Sequence, residues 1–118
     1  MASNTLQSNQ ALGSSQSLTS SNKCFNATLQ KNGIIVLKKV SNNMVLWSST
    51  PGYTPGAQVL MAGDGNLYLL NELRTVYYWA SGTGGNSGAI LVLQDDGTLV
   101  IKSTAGTVIW STNTVTAC

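Results

Sequence analysis

The chain of 118 residues is long enough for one domain and too short for two ordinary ones, and it is 42% hydrophobic but only 8% charged. Six Lys and Arg against four Asp and Glu leave a net charge of +2, with no basic cluster denser than Lys38-Lys39, which argues against a nucleic-acid partner. Histidine is absent and the carboxylates are Asp64, Glu72, Asp95 and Asp96, so the commonest general base, the commonest metal ligand and most acid–base pairs are missing; no enzyme, metal site or cofactor is expected.

In chain order, residues 1–10 lack a charged start and an apolar run, so they do not read as a secretory signal, and no stretch reaches the length of a membrane span. The expectation is a cytoplasmic protein or one released without a signal peptide, and a secreted one only if a leader has been removed. Leu6, Leu12 and Leu18 then recur every six residues in a Ser/Gln/Asn-rich setting, which predicts a lead-in strand pair over residues 5–20. Cys24 and Cys118 show no metal-binding spacing, and the sequence leaves a bridge between them open. Asn26-Ala27-Thr28 fits a glycosylation sequon, read as a chance match without a signal.

From there the chain repeats. Asn32-Gly33, Asp64-Gly65 and Asp96-Gly97 recur every 32 residues, and the flanking positions Leu29/Met61/Leu93, Ile35/Leu67/Leu99 and Leu37/Leu69/Ile101 are all aliphatic or Met. Trp47-Ser48-Ser49, Trp79-Ala80-Ser81 and Trp110-Ser111-Thr112 follow at spacings of 32 and 31, each after a short β-branched or aromatic stretch. Each unit reads as strand, Asn/Asp-Gly turn, strand, polar turn and a strand ending in Trp. The units span about residues 24–50, 57–82 and 88–113, joined by Gly-rich linkers at 50–56 and 82–88. The adjacent Asp95 and Asp96 read as turn residues, since neighbours on an extended chain point to opposite faces. Because a three-stranded unit cannot bury its apolar face alone, the core must come from mutual packing of the three units, with the tryptophans at its centre. A sugar-stacking role for the tryptophans is the weaker alternative. Thr112, Thr114 and Thr116 alternate with period two and predict a final strand; an ice-facing threonine row is the exotic reading of the same pattern.

Alternation along the second strand of each unit sends the aliphatic set inward and the intervening residues outward. The outward rows, including the turn residues, are Gln30, Asn32, Ile34, Val36, Lys38; Ala62, Asp64, Asn66, Tyr68, Leu70; and Gln94, Asp96, Thr98, Val100, Lys102.

The threefold repeat, the Asp64-Gly65-Asn66-Leu67 stretch and the Trp-Ser/Ala-Ser endings resemble the bulb-type, snowdrop-like mannose-binding lectins over essentially the whole chain. That resemblance implies an all-β, β-prism II fold: three pseudo-symmetric antiparallel four-stranded sheets in one domain, residues 1–118. It also implies a shallow sugar site per repeat, written Gln-x-Asp-x-Asn-x-Val-x-Tyr, in which Gln, Asp and Asn hold sugar hydroxyls, Val covers ring carbons and Tyr closes the row. No row here matches completely. The third keeps Gln94, Asp96 and Val100, with Thr98 and Lys102 replacing Asn and Tyr. The second keeps Asp64 and Asn66, with Ala62, Tyr68 and Leu70 replacing Gln, Val and Tyr. The first keeps Gln30 and Val36, with Asn32, Ile34 and Lys38 replacing Asp, Asn and Tyr. The rows therefore rank third, second, first as sugar sites, each lost hydrogen bond removing about 0.5–3 kcal/mol. The family's disulfide positions align with Gly33 and Ala57, so that bridge is missing, and the family's habit of exchanging a C-terminal strand implies a homodimer.

The expected function is a non-catalytic lectin for mannose or related glycans, gaining strength by multivalency. The competing expectation, from a different class, is a prism module with decayed sugar sites that works in protein contacts or assembly through Tyr68, Leu70, Tyr77 and Tyr78.

Overall fold

Twelve short strands account for the regular structure, and none of the described residues is helical; the computed structural model describes residues 3–49 and 57–118. The lead-in supplies β1 (Thr5–Leu6), β2 (Ala11–Leu12) and β3 (Ser17–Thr19). The first repeat supplies β4 (Phe25–Leu29), β5 (Ile35–Lys39) and β6 (Met44–Ser48). The second supplies β7 (Gln58–Met61), β8 (Leu67–Leu70) and β9 (Tyr77–Ala80), and the third β10 (Ile90–Leu93), β11 (Leu99–Lys102) and β12 (Val108–Ser111).

These strands form three four-stranded sheets, ordered β3-β4-β5-β6, β2-β7-β8-β9 and β1-β10-β11-β12, with the described pairings antiparallel. The architecture is the expected all-β prism of three sheets. The lead-in is not the predicted strand pair. Its strands serve one sheet each, with Leu18 opposite Ala27, Leu12 opposite Val59 and Leu6 opposite Leu91. The six-residue leucine spacing is thus the step from one sheet to the next around the prism.

The aliphatic positions predicted to face inward do so. Leu29, Met61, Leu93, Ile35, Leu67, Leu99, Leu37, Leu69 and Ile101 are all buried in one hydrophobic cluster with Leu6, Leu18 and Phe25. Trp47, Trp79 and Trp110 are half-buried against that cluster and meet one another edge-to-face, with ring centroids 5.7–6.2 Å apart. Mutual contact among three equivalent side chains places them about the pseudo-threefold axis, and each pair adds about 0.5–1.5 kcal/mol beyond area burial. Core packing, not an exposed stacking surface, is their role.

The residues after each tryptophan have a shared task. The hydroxyls of Ser49, Ser81 and Thr112 accept the amide protons of Ile35, Leu67 and Leu99 at 2.9, 3.0 and 3.1 Å, so each Trp-x-Ser/Thr ending ties its strand to the start of the strand beside it.

The C-terminus departs from expectation. Residues 112–118 form no strand; the last one is β12, which ends at Ser111. The tail is pinned by other bonds: Thr112 and Thr114 share a hydroxyl contact at 2.7 Å, Thr114 donates to the Gly97 carbonyl at 2.7 Å, and the Thr116 amide donates to the Asp96 carbonyl at 2.9 Å. The threonine hydroxyls at 112 and 114 are therefore spent internally, which removes the ice-facing reading. Cys118 is disulfide-bonded to Cys24, beside the start of β4, with a Cα–Cα distance of 5.4 Å. The linker over 50–56 lies outside the described residues.

Candidate functional site

Each outward row begins at a tight turn built the same way three times. The side-chain oxygen of Asn32, Asp64 or Asp96 accepts the amide proton two residues on, from Ile34, Asn66 or Thr98, at 3.1, 2.9 and 3.0 Å. The glycine between them takes a positive φ of 86°, 97° or 90°, which an L side chain rarely adopts. The predicted turn reading of Asp96 therefore holds. Its neighbour Asp95 points elsewhere: one carboxylate oxygen accepts the Asn22 amide at 2.9 Å and its carbonyl accepts the Asn22 side-chain amide at 3.0 Å, clamping the lead-in to the third repeat.

The rows turn away from the core as alternation requires, but they are less exposed than expected. Val36, Leu70, Thr98 and Val100 are buried, although the three apolar ones are not part of the core cluster. The reason is position: β5, β8 and β11 are inner strands of their sheets, flanked on both sides, so a side chain in the middle of the outer face is covered by its neighbours. Leu70, at 0% exposure, cannot serve as the contact residue proposed for it, and Tyr78 is half-buried against the core.

In the third row the Thr98 hydroxyl lies within hydrogen-bond reach of both the Gln94 side-chain oxygen, at 2.9 Å, and Oδ1 of Asp96. With one proton to give and 4% exposure, Thr98 donates to one of these two oxygens at a time and has no free hydroxyl to offer. Asp96 itself is exposed, with Oδ2 left to accept from outside, and Lys102 closes the row half-buried. In the first row Gln30, Asn32 and Lys38 are half-buried around Ile34 and the buried Val36, and the Asn32 turn bond is a side-chain hydrogen bond within the row.

The second row is a closed triangle. The Tyr68 hydroxyl donates to Oδ2 of Asp64 at 3.1 Å and accepts from the Asn66 amide at 3.1 Å, while Oδ1 of Asn66 accepts the Thr83 amide at 2.8 Å. Thr83 in turn bonds Ser81 at 2.7 Å and the Gly65 carbonyl, repeating the relay of Thr112, Thr114 and Gly97. The Asn66 amide approaches Gly84 so closely that a Cβ there would lie 2.7 Å from its nitrogen. The Asn66 backbone amide, first, and then Tyr68 hold the Asp64 carboxyl below its ordinary value; burial first, and then Asp64, push the Tyr68 phenol up. Sequence reasoning found Asp64, Asn66 and Tyr68 but missed Thr83 and Gly84, whose positions in a Gly-rich linker gave no sign that they anchor a side chain seventeen or eighteen residues earlier.

Two concavities, of about 470 and 630 Å³, lie at the lead-in strands, and none of the row residues lines either. The rows are shallow, open surfaces. Among the described residues no three of His, Cys, Asp and Glu come together as a metal site.

No protein-family model and no curated protein sequence matches the chain. Solved structures do. Snowdrop (Galanthus nivalis) mannose-specific agglutinin, in complex with methyl-α-D-mannoside, is 31% identical with a TM-score of 0.75, covering 97% of this chain and 99% of its own. A monomeric mannose-binding lectin from Gastrodia elata is 26% identical with a TM-score of 0.85, covering 97% of this chain and 100% of its own. A Marasmius oreades lectin is 29% identical with a TM-score of 0.83, covering 95% of this chain and 92% of its own. Three prism sheets from three repeats, the shared turn geometry and an identity of 31% over nearly the full length of both chains identify this chain as a member of the bulb-type mannose-binding lectin family.

Proposed function

We propose that the protein is a non-catalytic lectin that binds mannose or a related glycan, with the third row as its principal site. The observation that carries this reading is the cluster of Gln94, Thr98 and Asp96: one buried hydroxyl lies within hydrogen-bond reach of an amide oxygen and a carboxylate on the outer face, beside the buried Val100. A sugar hydroxyl pair needs such a row of acceptors and donors, with an apolar surface for ring carbons beside it. Thr98 positions the row, Gln94 and Asp96 contact the sugar, and Lys102 stands where the family has Tyr. The first row, lacking both the carboxylate and the central polar group, contributes least.

Asp96→Asn tests this. Asn32 makes the same turn bond in the first repeat, so the substitution keeps the turn and removes the charged acceptor. Mannoside binding by the parent that weakens about tenfold in the variant supports the reading; a glycan screen in which the parent is silent refutes it.

The competing reading, protein contact through decayed sites, draws on exposed Leu73, Val76 and Tyr77 around β9. A homodimer belongs to the same level of proposal. Because Cys118 is bonded to Cys24 and the tail is pinned to its own third repeat, an exchanged C-terminal segment would carry that disulfide between chains, and a non-reducing gel would show a covalent dimer. The disulfide also favours an oxidising setting for the folded protein over a reducing cytoplasm.

A further inference from the structure

We infer that the second row is an aromatic corner for a pyranose that stacks through its C–H face, of the β-galactoside type, and is no longer a mannoside site. The inference rests on the lectin reading above and deepens it for one row.

The family pattern uses Asp and Asn to hold sugar hydroxyls and a Val to cover ring carbons. Here Tyr68 stands at the Val position, and its own hydroxyl lies on both Asp64 and Asn66, where a ligand hydroxyl would sit. A mannoside has to displace that hydroxyl and break both of its hydrogen bonds to make its own, so the exchange returns little. The same substitution supplies a new surface. Tyr77 of β9 stands opposite Leu70 on the outer face, and its ring meets that of Tyr68 at 79° with centroids 4.8 Å apart. Two rings at a near right angle form a corner; Tyr77 is 58% exposed, and Leu70 is buried beneath. The equivalent pairs in the other two sheets are Lys38 with Val45 and Lys102 with Val108, so this sheet alone has an aromatic residue there.

The chemistry of the corner selects its occupant. A ring face binds the C–H side of a pyranose, as it binds other apolar surfaces. The axial fourth hydroxyl of a galactoside leaves the C–H groups of ring carbons three to five grouped on one face, whereas a mannoside directs its axial second hydroxyl toward polar partners. The triangle keeps polar capacity at its rim for hydroxyls of the stacked sugar: each Asp64 oxygen has used one lone pair, and the Asn66 amide has used one of its two protons. At the other end Arg74, hydrogen-bonded to Gln58 at 3.0 and 3.3 Å, offers further donors.

The test is a residue-resolved amide chemical-shift titration of the intact protein with methyl β-galactoside and, separately, methyl α-mannoside. The expected result is that galactoside shifts the amides of Asn66, Tyr68 and Tyr77, that mannoside shifts those of Gln94 to Val100, and that Tyr77→Ser weakens only the galactoside response, by about tenfold. Tyr68→Val frees Asp64 and Asn66 and is expected to move the second row's response toward mannoside. Mannoside shifts on the third row with no galactoside shifts on the second overturn this inference and leave the lectin reading standing. Mannoside binding at the second row of the parent overturns it too. Silence from both sugars removes the lectin reading and this inference together, and sugar-independent, concentration-dependent shifts at Tyr77 overturn it in favour of self-association.

Discussion

Replacing both cysteines with serine should reveal how much of the fold depends on tying the C-terminus to the start of the first repeat. The disulfide joins residues 94 apart, so the three repeats lie within one covalent loop while the lead-in strands β1–β3 lie outside it. For a loop of that length the chain-entropy relation predicts stabilisation of about 4.7 kcal/mol at 25 °C, acting on the unfolded state, and measured bridges commonly deliver about 2–4 kcal/mol. Against a total of about 5–15 kcal/mol for a domain this size, that is a large share. The tail's other bonds moderate the loss in the native state, because the Thr114 hydroxyl and Thr116 amide still reach the Gly97 and Asp96 carbonyls without the bridge. Urea unfolding of Cys24→Ser/Cys118→Ser, followed by the fluorescence of the clustered tryptophans, should therefore show a decrease of about 2–4 kcal/mol. Amide exchange at Thr116 should accelerate more than exchange in β8, since loss of the bridge lets the tail open locally. A decrease below about 1 kcal/mol, or unchanged exchange at Thr116, would refute the claim that the disulfide stabilises the fold and keeps the tail closed.

Three further outcomes follow from the geometry. Trp79→Ala removes a half-buried ring and two of the three edge contacts and should cost about 3–5 kcal/mol, and pseudo-symmetry predicts similar costs for Trp47→Ala and Trp110→Ala, as chemical denaturation would measure. Gly65→Ala should cost more than about 1 kcal/mol by the same assay, because its φ of 97° is strained for Ala and the new Cβ would meet the Asn86 carbonyl oxygen at 2.6 Å. The Asp64–Tyr68 bond has two pH limits. Asp64 has its carboxyl lowered from 3.8, so its contribution is fully present above that value and is lost as pH falls through the lower folded value; Tyr68, raised from 10.0, contributes below that value and loses its share as pH rises through the higher folded one. A pH series of unfolding midpoints, with Asp64→Asn and Tyr68→Phe beside the parent, should flatten at the acidic and alkaline edges respectively.

Local chemistry repeated at a fixed interval was the readable part of the sequence. The Asn/Asp-Gly pairs, the inward aliphatics and the tryptophans each appear three times, and each lies where alternation and turn chemistry put it. What was hidden depended on distant partners. A two-residue strand such as Thr5–Leu6 has no periodicity of its own, and pairing with β10 across more than eighty residues shows only in three dimensions. Alternation at Thr112–Thr116 looked like a strand because period two is also the spacing at which threonine hydroxyls reach one another and the turn carbonyl. Two cysteines without a recognisable motif do not reveal by spacing whether they are bridged. At the candidate site the residue types of the second row were legible, but the bond from the Tyr68 hydroxyl back onto Asp64 and Asn66 was not, and neither was the burial of Thr98 and Val100. Low charge sets one further expectation: with few ion pairs to screen, glycan binding should be nearly independent of salt.

The most direct test of sugar binding at the third row is a glycan array probed with the parent and with Asp96→Asn. The parent should give a mannose-class signal that falls about tenfold in the variant, with the unfolding midpoint unchanged. A parent that binds no glycan, or a variant that binds as the parent does, would contradict it.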